Sequence, residues 1–87
     1  MESTDYEPVY FDEFAASLEK LDKPTKEVAE KRIMKILENP FLSKPLRGDA
    51  LKLSERFLVY RIVFRVEGRK VFFLRLGKRD NVYSQSF

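Results

Sequence analysis

The sequence predicts an α+β domain: two antiparallel N-terminal helices packed on one face of a small twisted antiparallel sheet. In the first half of the chain, apolar residues recur at the spacing of helix faces. In the second half they alternate with the two-residue period of strands. Helices followed by strands are typical of α+β proteins. A length of 87 residues predicts one domain over 1–87, with a loose acidic leader over 1–8.

The first half is organised around two short helices. After a short strand over 9–11, the first helix carries its apolar face at Phe11, Phe14, Ala15, Leu18 and Leu21. The chain then breaks, and Asp22 or Thr25 is placed to cap a second helix with Pro24 in its first turn. The apolar face of this second helix is Ala29, Ile33, Ile36 and Leu37. Asn39-Pro40 ends it, because a residue before proline avoids the helical region.

The second half contains strands. Residues 40–49 read as a connector, since they include Pro40, Pro45 and Gly48. A short strand over Leu51–Leu53 follows. Two stronger strands are predicted over 59–66 and 70–76, where apolar residues alternate with arginine.

The pairing of the last two strands is predicted from their apolar sets. If Phe72, Leu74 and Leu76 face the helices, Phe64 pairs with Phe72. That register requires a three-residue loop, Glu67-Gly68-Arg69, in which glycine supplies a positive φ. The opposite face is then open and rich in arginine. It carries Arg61, Arg65, Phe73, Arg75 and, if the strand continues, Arg79.

Composition excludes most catalytic chemistry. The chain has no cysteine and no histidine, which removes thiolate nucleophiles, the usual general base and the commonest metal ligands. No ligand motif or glycine-rich phosphate loop is present, so neither a metal nor a cofactor is predicted. Residues 1–43 carry a net charge of −4 and residues 44–87 a net charge of +7. This asymmetry favours an anionic partner, with nucleic acid the first candidate.

Arginine, lysine and tyrosine on a sheet suit one reaction in particular. They can hold a phosphodiester and stabilise charge on its oxygens. When RNA is cleaved by its own 2′-hydroxyl, the substrate supplies the nucleophile, and the protein orients, moves protons and stabilises charge. From composition alone, a basic sheet is more often a binding surface than an active site.

An ordered set of short motifs resembles the RelE/ParE toxin superfamily. These are Leu46-Arg47-Gly48, the run from Tyr60 to Phe64 (YRIVF), the run from Leu76 to Arg79 (LGKR), and Val82-Tyr83. The resemblance implies two helices against an antiparallel sheet. RelE-like members are ribosome-dependent mRNA endonucleases that cut the A-site codon without metal. ParE-like members share the fold but inhibit DNA gyrase.

The resemblance also implies roles for individual residues. Arg61 matches the arginine that stabilises the transition state, and Arg79 the arginine that assists the leaving oxygen. Tyr83 matches a tyrosine that orients the substrate, and Lys52 a lysine that takes part in general-base chemistry. The predicted RNA-binding residues are Lys44, Arg47, Arg56, Arg65, Arg75 and Lys78.

Two departures keep other functions open. Where family members with the fullest catalytic set carry a second base, this chain has Ser54, and only three residues separate Arg79 from Tyr83. A ParE-like gyrase inhibitor, or a decayed homologue that binds RNA or protein, therefore remain alternatives.

The implied partners are a cognate antitoxin protein, the ribosome and mRNA. The arginine-rich face is a plausible target for an acidic antitoxin segment. The sequence has no apolar run long enough for a membrane span and no export signal, so a cytoplasmic location is expected.

Overall fold

The structure, a computed structural model, describes residues 6–42, 44–46 and 49–78, with no side chains described for 44–46 and 49–51. The elements in chain order are strand β1 (Glu7–Tyr10), helix α1 (Asp12–Glu19), helix α2 (Lys23–Glu38), a 3-10 turn (Pro40–Leu42), and strands β2 (Lys44–Leu46), β3 (Asp49–Phe57), β4 (Tyr60–Glu67) and β5 (Lys70–Lys78). The predicted leader over 1–8 is wrong at its C-terminal boundary, because Glu7 and Pro8 already belong to β1. Residues 1–5 lie outside the described part.

The described strands form one sheet with the order β1-β5-β4-β3-β2. Strands β3, β4 and β5 pair antiparallel, as predicted, and β2 pairs antiparallel with β3. Strand β1 instead runs parallel to β5, which makes the sheet mixed. Strand β2 was not predicted and lies within the expected connector. Both edge strands contain a proline, Pro8 in β1 and Pro45 in β2, and an edge is where a sheet tolerates a residue without an N–H.

The helix boundaries follow the local signals in the sequence. Asp22 occupies the N-cap position of α2 with extended backbone, and Pro24 lies in the first turn, where a missing N–H costs no hydrogen bond. Asn39 ends the helix just before Pro40. These features confirm the predicted break between the helices and the predicted end of α2.

A single apolar core joins both helices to one face of the sheet. Phe14 of α1 lies 5.2 Å from Phe73 of β5, measured between ring centroids, and Phe64 of β4 lies 6.0 Å from the same ring. The buried cluster is Phe14, Ala29, Ile33, Ile36, Leu37, Phe57, Ile62, Phe64, Val71, Phe73 and Leu76. The predicted α+β class, with helices on one sheet face, is confirmed.

The predicted register of β5 is wrong. Glu67 pairs with Lys70 across a two-residue loop, and Phe64 pairs with Phe73 rather than Phe72. A bulge at Leu74 then shifts the ladder, so that Ile62 pairs with Leu76. The bulge explains why the shorter loop does not bring arginine into the core. Phe73 accordingly belongs to the core, and Phe72 lies on the opposite face with its partner Arg65.

The two β-hairpin loops place different residues in the left-handed region. Gly68 has a φ of +59° in the β4–β5 loop, where glycine carries no steric penalty. Leu58 has a φ of +54° in the β3–β4 loop and is exposed. An L side chain in this region costs about 1–2 kcal/mol, so the Leu58 loop carries backbone strain.

Substitutions at the left-handed positions of the two loops should change the free energy of unfolding in opposite directions. A Cβ at Gly68 would meet nothing within 4 Å, so Gly68→Ala is expected to cost only the backbone strain, about 1 kcal/mol. Leu58→Gly removes that strain and little buried area, so it should leave the free energy of unfolding unchanged or raise it. Urea denaturation measures both changes. A loss above about 1 kcal/mol in Leu58→Gly would show that this side chain stabilises the loop.

The environment of Tyr10 predicts that the stability of the protein depends on pH. Its ring lies 5.3 Å from Phe73 and 5.8 Å from Phe14. Burial, and secondarily the charge of Glu30, raise the pKa of Tyr10 above its ordinary value of 10.0. The unfolded chain therefore ionises first, and the stabilisation present below pH 10.0 is lost as the pH rises through the raised pKa.

Tyr10→Phe keeps the ring contacts and removes this titration. Its free energy of unfolding should therefore fall less steeply than that of wild type between about pH 8 and about pH 11. Urea denaturation across that range gives the comparison. Parallel curves for the two proteins would contradict the assignment to Tyr10.

Candidate functional site

The sheet face away from the helices carries five of the ten residues predicted for the site. Ser54 pairs with Val63, Arg56 with Arg61, and Arg65 with Phe72, which places each pair on the same face. We call this surface the arginine face. Its residues are Lys52, Ser54 and Arg56 from β3, Arg61, Val63 and Arg65 from β4, and Phe72, Arg75 and Gly77 from β5. Alternation along β3 places Lys52 there, on the same side as Arg61.

The centre of the arginine face is buried. Arg61 is 8% exposed and Ser54 is 6% exposed. Arg61 Nη1 donates a hydrogen bond of 2.8 Å to Ser54 Oγ. A charge is costly to bury unless it is paired or hydrogen-bonded. Arg61 is therefore not a solvated surface arginine, and the expectation of a fully open face is wrong at this point.

Arg56 and Arg61 lie directly opposite each other in the β3–β4 ladder. Two like charges at such a pair destabilise a sheet. Gly77 is the partner of Arg61 on the other side and contributes no side chain. This arrangement concentrates positive charge at a cost in stability, as is expected of a surface that binds an anion.

Lys52 lies two residues before Ser54 on β3 and is half-buried. Residues two apart on a strand are about 7 Å apart along its axis and point to the same face. Alternation from Ser54 therefore places Lys52 on the same face as Ser54 and Arg61.

Two further arginines of this face, Arg65 and Arg75, form its rim. The guanidinium of Arg65 lies 4.9 Å from the centre of the Phe72 ring, and its Nε is 3.0 Å from a carboxylate oxygen of Glu67. Arg75 reaches Glu13 at the start of α1, with 3.5 Å between Nη2 and Oε1. Both pairs are partly exposed, and such pairs are weak and exchangeable. These cations can therefore also attract phosphate.

Two predicted RNA-binding residues occupy different positions. Arg56 is exposed on the arginine face. Lys78 is exposed at the end of β5, but it pairs with Tyr60, whose ring packs against the core. Lys78 therefore lies on the helix-facing side of the sheet, with Tyr60, and not on the arginine face.

Four predicted residues cannot be placed. Arg47, Arg79 and Tyr83 lie outside the described residues. Lys44 pairs with Ser54 through its backbone in the β2–β3 ladder, and its side chain lies outside the described part. The proposed leaving-group and substrate-orienting residues therefore stay predictions.

Within the described ranges, no group of three acidic side chains is placed to hold a metal ion. None of the helices in those ranges is both long and apolar enough to cross a membrane.

Comparison with protein-family models and with curated proteins finds no match. Comparison with solved structures finds one fold repeatedly, that of RelE toxins. A mutant of Escherichia coli RelE in the free state is 23% identical, with a TM-score of 0.80, covering 95% of this chain and 93% of that one. The intact E. coli RelBE toxin–antitoxin complex is 25% identical, with a TM-score of 0.74, covering 84% of this chain and 95% of that one.

A RelBE toxin–antitoxin complex from Mycobacterium tuberculosis is 22% identical, with a TM-score of 0.75, covering 87% of this chain and 100% of that one. These structures define the class: this chain has the fold of a RelE-like toxin. On that fold, this chain carries the buried contact between Ser54 and Arg61 and the bulge at Leu74.

Proposed function

We propose that this protein is the toxin of a type II toxin–antitoxin pair and a ribosome-dependent mRNA endonuclease. The observation that carries the proposal is Arg61, buried and hydrogen-bonded to Ser54 on the free face of a RelE-like sheet. The structural neighbours support the toxin class, since they are RelE toxins and their antitoxin complexes. The motifs around Arg61 and Arg79 favour RNA cleavage over gyrase inhibition.

The reaction we propose needs no metal or cofactor. The 2′-oxygen of the substrate attacks the adjacent phosphorus, and the bond from phosphorus to the 5′-oxygen breaks. The products are a 2′,3′-cyclic phosphate and a 5′-hydroxyl. Lys52 would take part in removing the 2′-proton, and Arg79 would assist the 5′-oxygen as it leaves. A proton from water then completes the 5′-hydroxyl.

Arg61 would stabilise the negative charge that develops on the phosphate oxygens. Its planar guanidinium suits this role, because its N–H donors match the spacing of phosphate oxygens. Tyr83 would orient the substrate. The rim arginines would attract the RNA backbone with little regard to sequence.

We further propose that a cognate antitoxin covers the arginine face. Residues 44–87 carry the net charge of +7, so an acidic segment would fit this surface. The toxin would act in the cytoplasm on mRNA held in the ribosome, once the antitoxin is removed.

Induced cells separate the proposal from its alternatives. Expression of wild type should arrest translation with intact chromosomes, while Arg61→Ala or Arg79→Ala should relieve the arrest. Double-strand DNA breaks with a DNA-damage response would favour the ParE-like reading instead. Growth unaffected by well-expressed, folded wild type would favour the decayed binding homologue.

A further inference from the structure

The contact between Ser54 and Arg61 has a specific geometry. The two residues lie on neighbouring strands, and each is two residues along its strand from the other's partner, since Ser54 pairs with Val63 and Arg61 with Arg56. The arginine side chain spans this diagonal and donates from Nη1 to Ser54 Oγ over 2.8 Å. Hydrogen bonds with an ionised donor are shorter and stronger than neutral ones.

The Ser54 hydroxyl restricts the orientation of the Arg61 guanidinium. An arginine side chain has several free torsions, and ordering it costs conformational entropy. A hydrogen bond to Ser54, fixed on the strand, restricts those torsions before any ligand arrives. Charge stabilisation in a transition state depends on donors that are already oriented, because reorienting them during the reaction costs free energy.

We infer that Ser54 is a positioning residue, which holds the Arg61 guanidinium in the orientation needed at the scissile phosphate. The inference rests on the proposed function and deepens it. Ser54 would touch Arg61 and not the substrate. At a position where the resembling family carries a second base, this chain therefore uses a hydroxyl to order its arginine.

A double-mutant cycle tests whether Ser54 acts through Arg61. Single-turnover cleavage is measured on ribosomes programmed with a defined mRNA. Ser54→Ala is expected to lower the maximal rate by about tenfold, with the half-saturating toxin concentration changed by less than about threefold. In an Arg61→Ala background the same substitution should cause no further loss. Ser54→Thr keeps the hydroxyl and should retain the rate within about threefold.

Arg32→Gln is the matched control. Arg32 Nη1 donates to Glu55 Oε2 over 2.9 Å, from α2 to the residue after Ser54, on the helix-facing side of β3. Its loss removes another arginine hydrogen bond to β3, partly exposed and on the other face of the sheet, and should leave the cleavage rate unchanged. An unchanged rate in folded Ser54→Ala, or a further loss in the Arg61→Ala background, would overturn the inference. So would a rate loss in Arg32→Gln equal to that in Ser54→Ala.

A second readout does not depend on cleavage. Side-chain ¹⁵N NMR reports rotation of the Arg61 guanidinium, with Arg61→Lys used to assign its resonances. Restricted rotation in wild type and Ser54→Thr, with faster rotation in Ser54→Ala, would support positioning. Equal rotation in all three would overturn it. If wild type is rigid at Arg61 but cuts no mRNA, the proposed function fails and the positioning by Ser54 stands on its own.

Discussion

Replacing Arg61 with alanine is expected to lower the rate of mRNA cleavage on programmed ribosomes by about 100-fold or more. The reason is that the guanidinium would interact with charge that develops only in the transition state, so its loss acts on the rate rather than on binding. Single-turnover cleavage of a defined mRNA, with the toxin in excess, measures this effect. Circular dichroism checks that the variant is folded.

Two further variants separate the role of the Arg61 guanidinium from that of positive charge on the same face. Arg61→Lys keeps the charge but loses the planar array of donors, so it should recover only part of the rate. Arg56→Ala removes the exposed arginine directly opposite Arg61. It should weaken binding in a salt-dependent way and leave the maximal rate nearly unchanged. Full activity in folded Arg61→Ala would contradict the proposed role of Arg61.

Replacing Phe73 with alanine is expected to lower the free energy of unfolding by about 3–5 kcal/mol. Its ring is fully buried and packs against Phe14, Phe64 and Tyr10. A domain of this size has only about 5–15 kcal/mol in total, so the variant should lose a large fraction of its stability. Urea denaturation monitored by circular dichroism gives the value.

Phe72→Ala is the matched control for this prediction. Phe72 is also a phenylalanine and precedes Phe73 by one residue. It is half-buried on the arginine face, where its ring contacts Arg65 and Phe11. Its replacement should cost clearly less than that of Phe73. The register first predicted from the sequence requires the opposite order. A larger loss in Phe72→Ala would therefore contradict the register with a bulge at Leu74.

The helices and the fold class were predictable because their signals are local. A cap at Asp22, a proline in the first turn and the stop at Asn39-Pro40 each act within a few residues. The register of β5 was not predictable by the same reasoning. Residues 71–74 are all apolar, so both faces of the strand look alike. Only the pairing with β4 and the bulge at Leu74 select the buried set.

The site was partly predictable from alternation. Alternation predicted that Arg61, Arg65 and Arg75 share one face of the sheet, and the structure places them there. The hydrogen bond from Arg61 to Ser54 was not predicted, because it crosses a diagonal that depends on the β3–β4 register. A serine in the middle of a strand next to a basic position was the one signal that could have indicated it.

Primer extension on a defined mRNA in a purified translation system, with wild type and Arg61→Ala in parallel, is the measurement that tests the proposed mRNA cleavage most directly. If Arg61 stabilises the transition state, cuts within the A-site codon appear only with ribosomes present and disappear in Arg61→Ala. Absence of cuts from folded wild type, or equal cutting of naked mRNA, would contradict the proposed function.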